Sequence, residues 1–497
     1  MLLDHLKADA AKVNGVRDEQ PSVGLPVERR VYTNRSLRLD QIEWVGFDMD
    51  YTLAIYKQAE IDRLSIEATV KKLVDRGYPP ELIEAKYDES FPLRGILIDK
   101  QEGNLLKMDR FKYVAKAFHG SRELPRDKRR ELYHQRRIRV DSDRYHWVDT
   151  LYALPEAAVY AGAVDFFDSR GDQLDYAQLF KDIRESIDEA HRDGAIVDVI
   201  EQNLPRFVAP DPELATTLHK LRSAGKKLFL LTNSRAGYTE SMMTYLLGGA
   251  MAEYPTWRHY FDVVVVAASK PKFFTERRPI MEYRGKGEES TRASRFERLK
   301  IYEGGNLGEF ERLIGASGDE VLYVGDHIYG DVLRAKKESA WRTVMIIQEM
   351  ADELRAAAES RDEYAEIDQI ELRRAKLMDE LRARQVRLKS IERDREDGVE
   401  RDESSQDAYR AEKRAIEAVR QMLREDEERA RNIERTVDER FHRGWGSLFK
   451  EGVEVSSFGD QVEEYACLYT MKVSNLGSYS PTHYFRSPRD YMPHERG

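Results

Sequence analysis

The chain has 497 residues, enough for two or three domains with sizeable cores. Charged residues make up 35% of it and the net charge is -10, a balance that disfavours non-specific nucleic-acid binding, and no apolar run approaches the ~20 residues of a membrane span. Cys467 is the single cysteine, which excludes an intrachain disulfide, disfavours a cysteine-based zinc site and fits a reducing cytoplasm.

At the N-terminus, "MLLDHLKADAAK" carries Asp4 and Asp9 where a secretory peptide would have its apolar centre, so no signal peptide is expected. The first apolar run, "IEWVGF", ends in "DMDYTLA", with Asp48 and Asp50 two residues apart. Residues 55–205 are mixed, with helical stretches such as "IDRLSIEATVKKLVDRG", and read as a cap domain inserted after the first core strand. Within them the basic run "DKRRELYHQRRIR" reads as an exposed helix face or a set of phosphate contacts. Four more strand-like runs follow: "KLFLLTNS", "DVVVVAAS", "EVLYVGDH" and "TVMIIQE". Their near-continuous Val, Leu and Ile predict strands covered on both faces, as in a parallel sheet. Helical patterns between them, "DPELATTLHKLRSAGK" and "YTESMMTYLLGG", stop near glycine. This alternation predicts a doubly wound, mainly parallel α/β core formed by residues 1–54 and 206–351.

Residues 352–442 change character. Ile370, Leu377 and Ile391 recur at heptad spacing, with Ile367, Leu381 and Leu388 interleaved. After the polar break "REDGVERDESSQD", Tyr409, Ile416, Leu423, Ala430 and Val437 repeat the step. The pattern predicts an antiparallel coiled-coil hairpin, each arm about 55–65 Å long. Residues 443–497 return to globular composition and are expected to pack on the core.

The chemistry lies at the strand ends, where open parallel sheets bind ligands. They offer Asp48 and Asp50, then Thr232, Asn233 and Ser234, then Lys270, then Asp326 with Asp331 five residues on. Each piece alone is ordinary: an acidic turn, a helix cap, a loop. Together and in order they fit phosphoryl transfer. A carboxylate can attack phosphorus only if like charge is neutralised. Mg²⁺ does this with hard oxygens, here Asp48, Asp326 and the backbone carbonyl of Asp50. Lys270 offsets charge on the transferring group, and Thr232 and Asn233 can donate to its oxygens. Asp48 is the expected nucleophile and Asp50 the acid/base. The histidines show no zinc-ligand spacing.

"DMDYTLA", "TNS", "SKP" and "GDHIYGD" resemble the four motifs of the haloacid dehalogenase superfamily. Within it, "DMDYTLAIYK", "TLYALPEAAVYAGAVDFF", "DIRESIDEAHRDG", "SKPKFF", "LYVGDHIYGDVLRAKK", "WRTVMIIQE" and "YMPHE" resemble the cytosolic purine 5′-nucleotidases that prefer IMP and GMP. The resemblance implies Mg²⁺-dependent hydrolysis of purine nucleoside monophosphates through an aspartyl-phosphate. A nucleoside can replace water as the acceptor, giving phosphotransferase activity. It assigns phosphate to Thr232, Asn233, Ser234 and Lys270, a supporting role to Asp331, and the purine to Tyr152, Arg184, Asp188 and His191. By spacing alone Arg184 and Asp188 read rather as an ordinary i, i+4 ion pair, and only the resemblance reverses that. Val197 stands where the family has a phosphate-reaching lysine, with Arg192 nearby, and Ala153 where it has an asparagine. The resemblance also implies a nucleotide effector site at Arg139, Trp147, Asp149, Tyr329, Lys337 and Gln461. There Asp149 replaces an amide and Glu464 an arginine, which reduces its charge complementarity. A homo-oligomer, dimer or tetramer, is expected. The alternatives are a phosphatase for another phosphomonoester and a nucleotide-sensing scaffold.

Overall fold

The computed structural model describes residues 24–134, 138–140, 142–285, 287–396 and 403–488. Residues 1–351 with 449–497 form one compact unit, and residues 352–448 form a second.

The first unit is built on a ten-stranded sheet. Seven strands run parallel: β1 (Trp44–Phe47), β2 (Lys227–Leu231), β3 (Val263–Val266), β4 (Ile301–Gly304), β5 (Val321–Gly325), β6 (Arg342–Ile346) and β7 (Leu468–Thr470). Their spatial order is β7-β6-β5-β1-β2-β3-β4, with short antiparallel strands at both edges. The chain leaves β1 and returns to both of its sides, as β2 and as β5, so the crevice above β1 is the switch point of a doubly wound sheet. The apolar runs are buried on both faces, as their composition demands. One face carries an aromatic core of Trp44, Phe229, Phe273, Phe274, Phe310, Tyr323 and Trp341. Gly46 belongs to that packing: a Cβ there would lie 2.0 Å from the Phe229 ring.

Two of these strands, β4 and β7, fall outside the five runs that the sequence picks out. Strand β7 comes from the C-terminal segment and pairs with β6, which puts that segment on the core.

Between β1 and β2 the chain builds a five-stranded antiparallel sheet, with Ile96–Asp99 and Asn104–Met108 at its centre. Three helices accompany it: α1 (Gln58–Asp75), α2 (Leu154–Arg170) and α3 (Tyr176–Arg192). Helix α3 is capped by Asp175, whose carboxylate accepts the N–H groups of Ala177 and Gln178 at 3.0 Å each. It buries Leu179, Ile183, Ile187 and Ala190, which leaves Arg184, Asp188 and His191 on another face.

The second unit contains two long helices, α4 (Arg361–Glu396) and α5 (Glu403–Phe441). They lie side by side and antiparallel: Arg440 pairs with Glu363 and Arg429 with Glu366 near one end, and Arg384 with Glu412 towards the other. Ile370, Ile416, Val419, Ala430 and Val437 are buried along the seam. Residues 397–402, in the polar break between the arms, lie outside the described residues, as does "YMPHE". Among the described residues no helix is long and apolar enough to cross a membrane.

Candidate active site

The four strand ends meet. Asp48 leaves β1 with its N–H on the Val324 carbonyl at 2.9 Å, and its Oδ1 accepts the Met49 N–H at 2.8 Å. The next turn is tight: the Met49 carbonyl accepts the N–H groups of Leu53 and Ala54, and Tyr51 sits at φ 57°. This turn brings Asp50 back over the site.

Lys270 is the hub. Its Nζ lies 2.9 Å from Asp48 Oδ1 and 2.7 Å from Asp331 Oδ1. It also donates to the Tyr323 hydroxyl at 2.8 Å, which in turn donates to the Leu231 carbonyl. Two hydrogen bonds clamp its peptide to Asn233: Lys270 N–H to Oδ1 at 2.5 Å, and Nδ2 to the Lys270 carbonyl at 3.0 Å. The side-chain amide of Asn233 thus holds the Lys270 peptide at both ends. The Thr232 hydroxyl accepts the Ser234 N–H, and Ser234 Oγ donates to Asp50 Oδ2 at 2.6 Å. In this arrangement "TNS" holds Asp50 and Lys270 in place.

Asp326 ends β5, and Asp331 is returned to it by a π-helical turn, Ile328–Leu333, in which the His327 carbonyl accepts the N–H groups of Asp331 and Val332. Gly325 permits this return, since a Cβ there would lie 2.6 Å from the Asp331 side chain. Oxygens of Asp48, Asp326 and Asp331 lie within 4.8 Å of one another. Asp331 thus joins the carboxylate cluster itself, a closer part than the supporting role expected of it. Burial, and then the charge of Asp331, push Asp326 up to about 7. Burial likewise raises Asp48 well above the carboxylate range, with Asp331, Asp326 and Asp50 adding to the effect and Lys270 opposing it. Burial works against the Lys270 ammonium, but Asp331 and Asp48 outweigh it and hold the lysine charged.

Three hard-oxygen carboxylates with one ammonium among them leave an excess of negative charge. That donor set suits a Mg²⁺ ion, which demands oxygen ligands.

Two further members of the site were given no role by the sequence. Arg94, which is fully buried, donates to the Asp326 carbonyl at 3.0 Å and to Glu349 at 2.7 Å, with its guanidinium 4.9 Å over the Phe458 ring. Tyr56 donates to Asp50 Oδ1 at 2.5 Å and meets the Tyr238 hydroxyl at 2.8 Å. Both Asp50 oxygens thus accept a hydroxyl. Burial raises Asp50 and these two bonds oppose that rise. Tyr56→Phe is expected to lower turnover roughly ten- to hundredfold, the worth of about 1.5–3 kcal/mol for a hydrogen bond to a charged group. Unchanged steady-state turnover in a folded variant would remove Tyr56 from the site.

The ring of Tyr152 lies 5.3 Å from that of His191 and 5.3 Å, edge-on, from that of Tyr51. Tyr51 packs on Tyr56, so an aromatic chain runs from the Asp50 hydroxyl partner to Tyr152. Arg184 Nη1 donates to Glu156 at 2.6 Å, and its Nε stands 3.8 Å from Asp188. Glu156 is buried, a residue that sequence reasoning missed. Burial pushes it up to about 7, against the pull of Arg184.

The expected effector residues are more dispersed in what they touch. Asp149 faces His327 at 3.1 Å, Lys112 sits 6.0 Å over the Trp147 ring, and Lys337 lies 5.6 Å over Tyr465. Tyr329 packs under Arg334, Arg139 is exposed, and Gln461 Oε1 is buried with no partner among the described residues.

A 5′-nucleotidase domain-containing protein of Dictyostelium discoideum is 29% identical over 476 residues, covering 94% of this chain and 74% of that protein. The 5′-nucleotidase domain-containing protein 2 of Rattus norvegicus and that of Homo sapiens are each 35% identical over 339 residues, 65% of this chain. The matched part spans 60% of the rat protein and 64% of the human one, less than two thirds of either. Among solved structures, a predicted phosphoglycolate phosphatase from Haemophilus somnus 129PT is 15% identical, with a TM-score of 0.26, over 62% of this chain and 85% of that one. Four strand-end motifs gather around Asp48, and residues 31–497 match the 5′ nucleotidase family, so the chain belongs to that family.

Proposed function

We propose that this protein is a Mg²⁺-dependent 5′-nucleotidase that hydrolyses IMP and GMP to nucleoside and phosphate. Family membership supports the coarser statement, hydrolysis of nucleotide phosphomonoesters. The observation that carries the reading is Asp48, an ordered carboxylate held by Lys270 at the centre of a charge cluster, with Asp50 beside it under two hydroxyls.

Asp48 attacks phosphorus, forming an aspartyl-phosphate as the bond to the ribose 5′-oxygen breaks. Asp50 delivers a proton to that oxygen and then takes one from the attacking water, which restores both acids. Lys270 balances charge on the equatorial oxygens. A Mg²⁺ ion held by Asp48, Asp326, Asp331 and the Asp50 carbonyl would supply the charge neutralisation that lets carboxylate and phosphate approach. A nucleoside hydroxyl in place of water would give phosphotransferase activity. A scaffold role is disfavoured, because sensing a nucleotide needs no nucleophile. We also place the protein in the cytoplasm as a homo-oligomer, with residues 55–205 as the cap over the site.

Tyr152 and His191 offer flat faces to a purine. Arg184 has Nη1 on Glu156 and Nε facing Asp188, which leaves Nη2 for the O6/N7 edge of IMP or GMP. AMP presents an amino donor at position 6, and once the bound base covers Arg184, whose side chain is 46% exposed here, an unpaired donor would cost about 1–3 kcal/mol, roughly ten- to hundredfold in kcat/KM. Phosphate release from IMP, GMP, AMP and a sugar phosphate, each with Mg²⁺, tests the reading. IMP and GMP are expected to exceed AMP by that factor, and Arg184→Ala to narrow the gap. A sugar phosphate turned over faster than any nucleotide would refute the nucleotidase assignment.

A further inference from the structure

We propose that Gln348 and Glu349, just past the end of β6, act with Arg94 as a brace that sets the spacing of the two turns carrying the metal ligands. This rests on the Mg²⁺ reading of the carboxylate cluster and adds positioning residues to it. The sequence picks out "TVMIIQE" as a strand and assigns its polar end no role. Strand β6 lies beside β5, and β5 beside β1. The end of β6 is therefore roughly 10 Å from that of β1, two strand spacings away. Side chains bridge the distance.

The first tie runs to the turn after Asp50. Gln348 Nε2 donates to the Tyr51 carbonyl at 3.0 Å. Tyr51 sits at φ 57°, a left-handed conformation that a bulky residue keeps only where its surroundings hold it. It follows Asp50 directly, so holding Tyr51 sets the direction of the Asp50 carbonyl. The second tie runs to Asp326. Glu349 Oε2 accepts Arg94 Nη2 at 2.7 Å, and Arg94 Nη1 donates to the Asp326 backbone carbonyl at 3.0 Å. Arg94 comes from the insertion between β1 and β2, so the core does not complete the brace alone. A planar guanidinium holds its two partners in fixed directions, which an ammonium on a flexible stem does not. The end of β6 is itself anchored, since the Ile347 N–H donates to the Thr470 carbonyl of β7 at 2.8 Å.

Stability does not explain this arrangement. Arg94 Nε and Glu349 Oε1 are both buried without a hydrogen-bond partner among the described residues. A buried ion pair left partly unsatisfied is a poor stabiliser, and apolar side chains of similar volume often serve a fold as well. What the pair provides is direction. Outer partners that orient metal ligands typically change metal affinity by about ten- to hundredfold.

The test is Mg²⁺ binding to the full chain, read by calorimetry without substrate. Arg94→Met removes a positive charge, and Gln348→Glu turns a donor into a negatively charged acceptor. Charge alone would make both variants bind Mg²⁺ more tightly. Loss of the brace makes them bind about ten- to hundredfold more weakly, which is the expected result. Because Arg94→Met leaves Glu349 without its partner, a double variant, Arg94→Met with Glu349→Met, removes the brace with no lone buried charge and no change in net charge. It is expected to melt close to the wild type in EDTA and to show the same loss of affinity. Turnover of IMP lost at low Mg²⁺ should return as Mg²⁺ is raised, which general misfolding would not allow. A wild-type protein that binds no Mg²⁺ would overturn the metal reading and the brace with it. A wild type that binds Mg²⁺, with Gln348→Glu or the double variant binding it as tightly or more so, would overturn the brace alone.

Discussion

Asp48→Asn is expected to lower turnover of IMP by about 10⁴-fold or more, because an amide cannot form the aspartyl-phosphate. The substitution is nearly isosteric. The side-chain carbonyl can still accept the Met49 N–H, and Lys270 keeps Asp331, so the fold should survive. Asp50→Asn should fail differently. It keeps the nucleophile and loses the proton carrier, which typically costs 10²–10⁴-fold. Both half-reactions then slow, and a phosphorylated enzyme can accumulate. Intact-protein mass spectrometry after mixing with IMP and Mg²⁺ separates the two. A phosphate adduct is expected on Asp50→Asn and never on Asp48→Asn. An adduct on Asp48→Asn would move the nucleophile elsewhere.

Chelation of divalent cations should have an effect of similar size. Asp48, Asp326 and Asp331 converge within 4.8 Å, and an incoming phosphate adds further negative charge. Lys270 alone cannot balance this. Excess EDTA is therefore expected to abolish turnover and Mg²⁺ to restore it. Binding is readable without catalysis: Mg²⁺ should raise the melting temperature of the wild-type protein by about a few degrees. Asp326→Asn, with one hard ligand fewer, should lose that response. Full turnover in chelator, or an equal thermal shift in Asp326→Asn, would remove the metal from the carboxylate cluster.

Lys270 and Asn233 illustrate how a motif can be legible while its working is not. The sequence marks both as phosphate contacts. In the structure the Asn233 side chain is bound at both ends to the Lys270 peptide, and the lysine reaches two carboxylates and a tyrosine hydroxyl. What the motif encodes is a rigid lysine.

By itself the sequence determined the strands that carry the chemistry, because buried parallel strands must be continuous apolar runs and their polar ends stand out against them. Strand β1 with Asp48, β2 with Thr232 and β5 with Asp326 were legible for that reason, and so were the two long helices, whose heptads repeat. Strands β4 and β7 were not, because "IYEG" and "LYT" lack a continuous apolar run and are defined by pairing with partners distant in the chain. The same holds for Arg94, whose contacts to the Asp326 carbonyl and Glu349 reach far across the chain. Tyr56, Glu156 and Tyr323 lie inside words that carry the family resemblance, but nothing in those words announces their contacts to Asp50, Arg184 and Lys270. Tertiary structure alone decided that Asp331 joins the carboxylate cluster, because that depends on a π turn and on Gly325 leaving room for it.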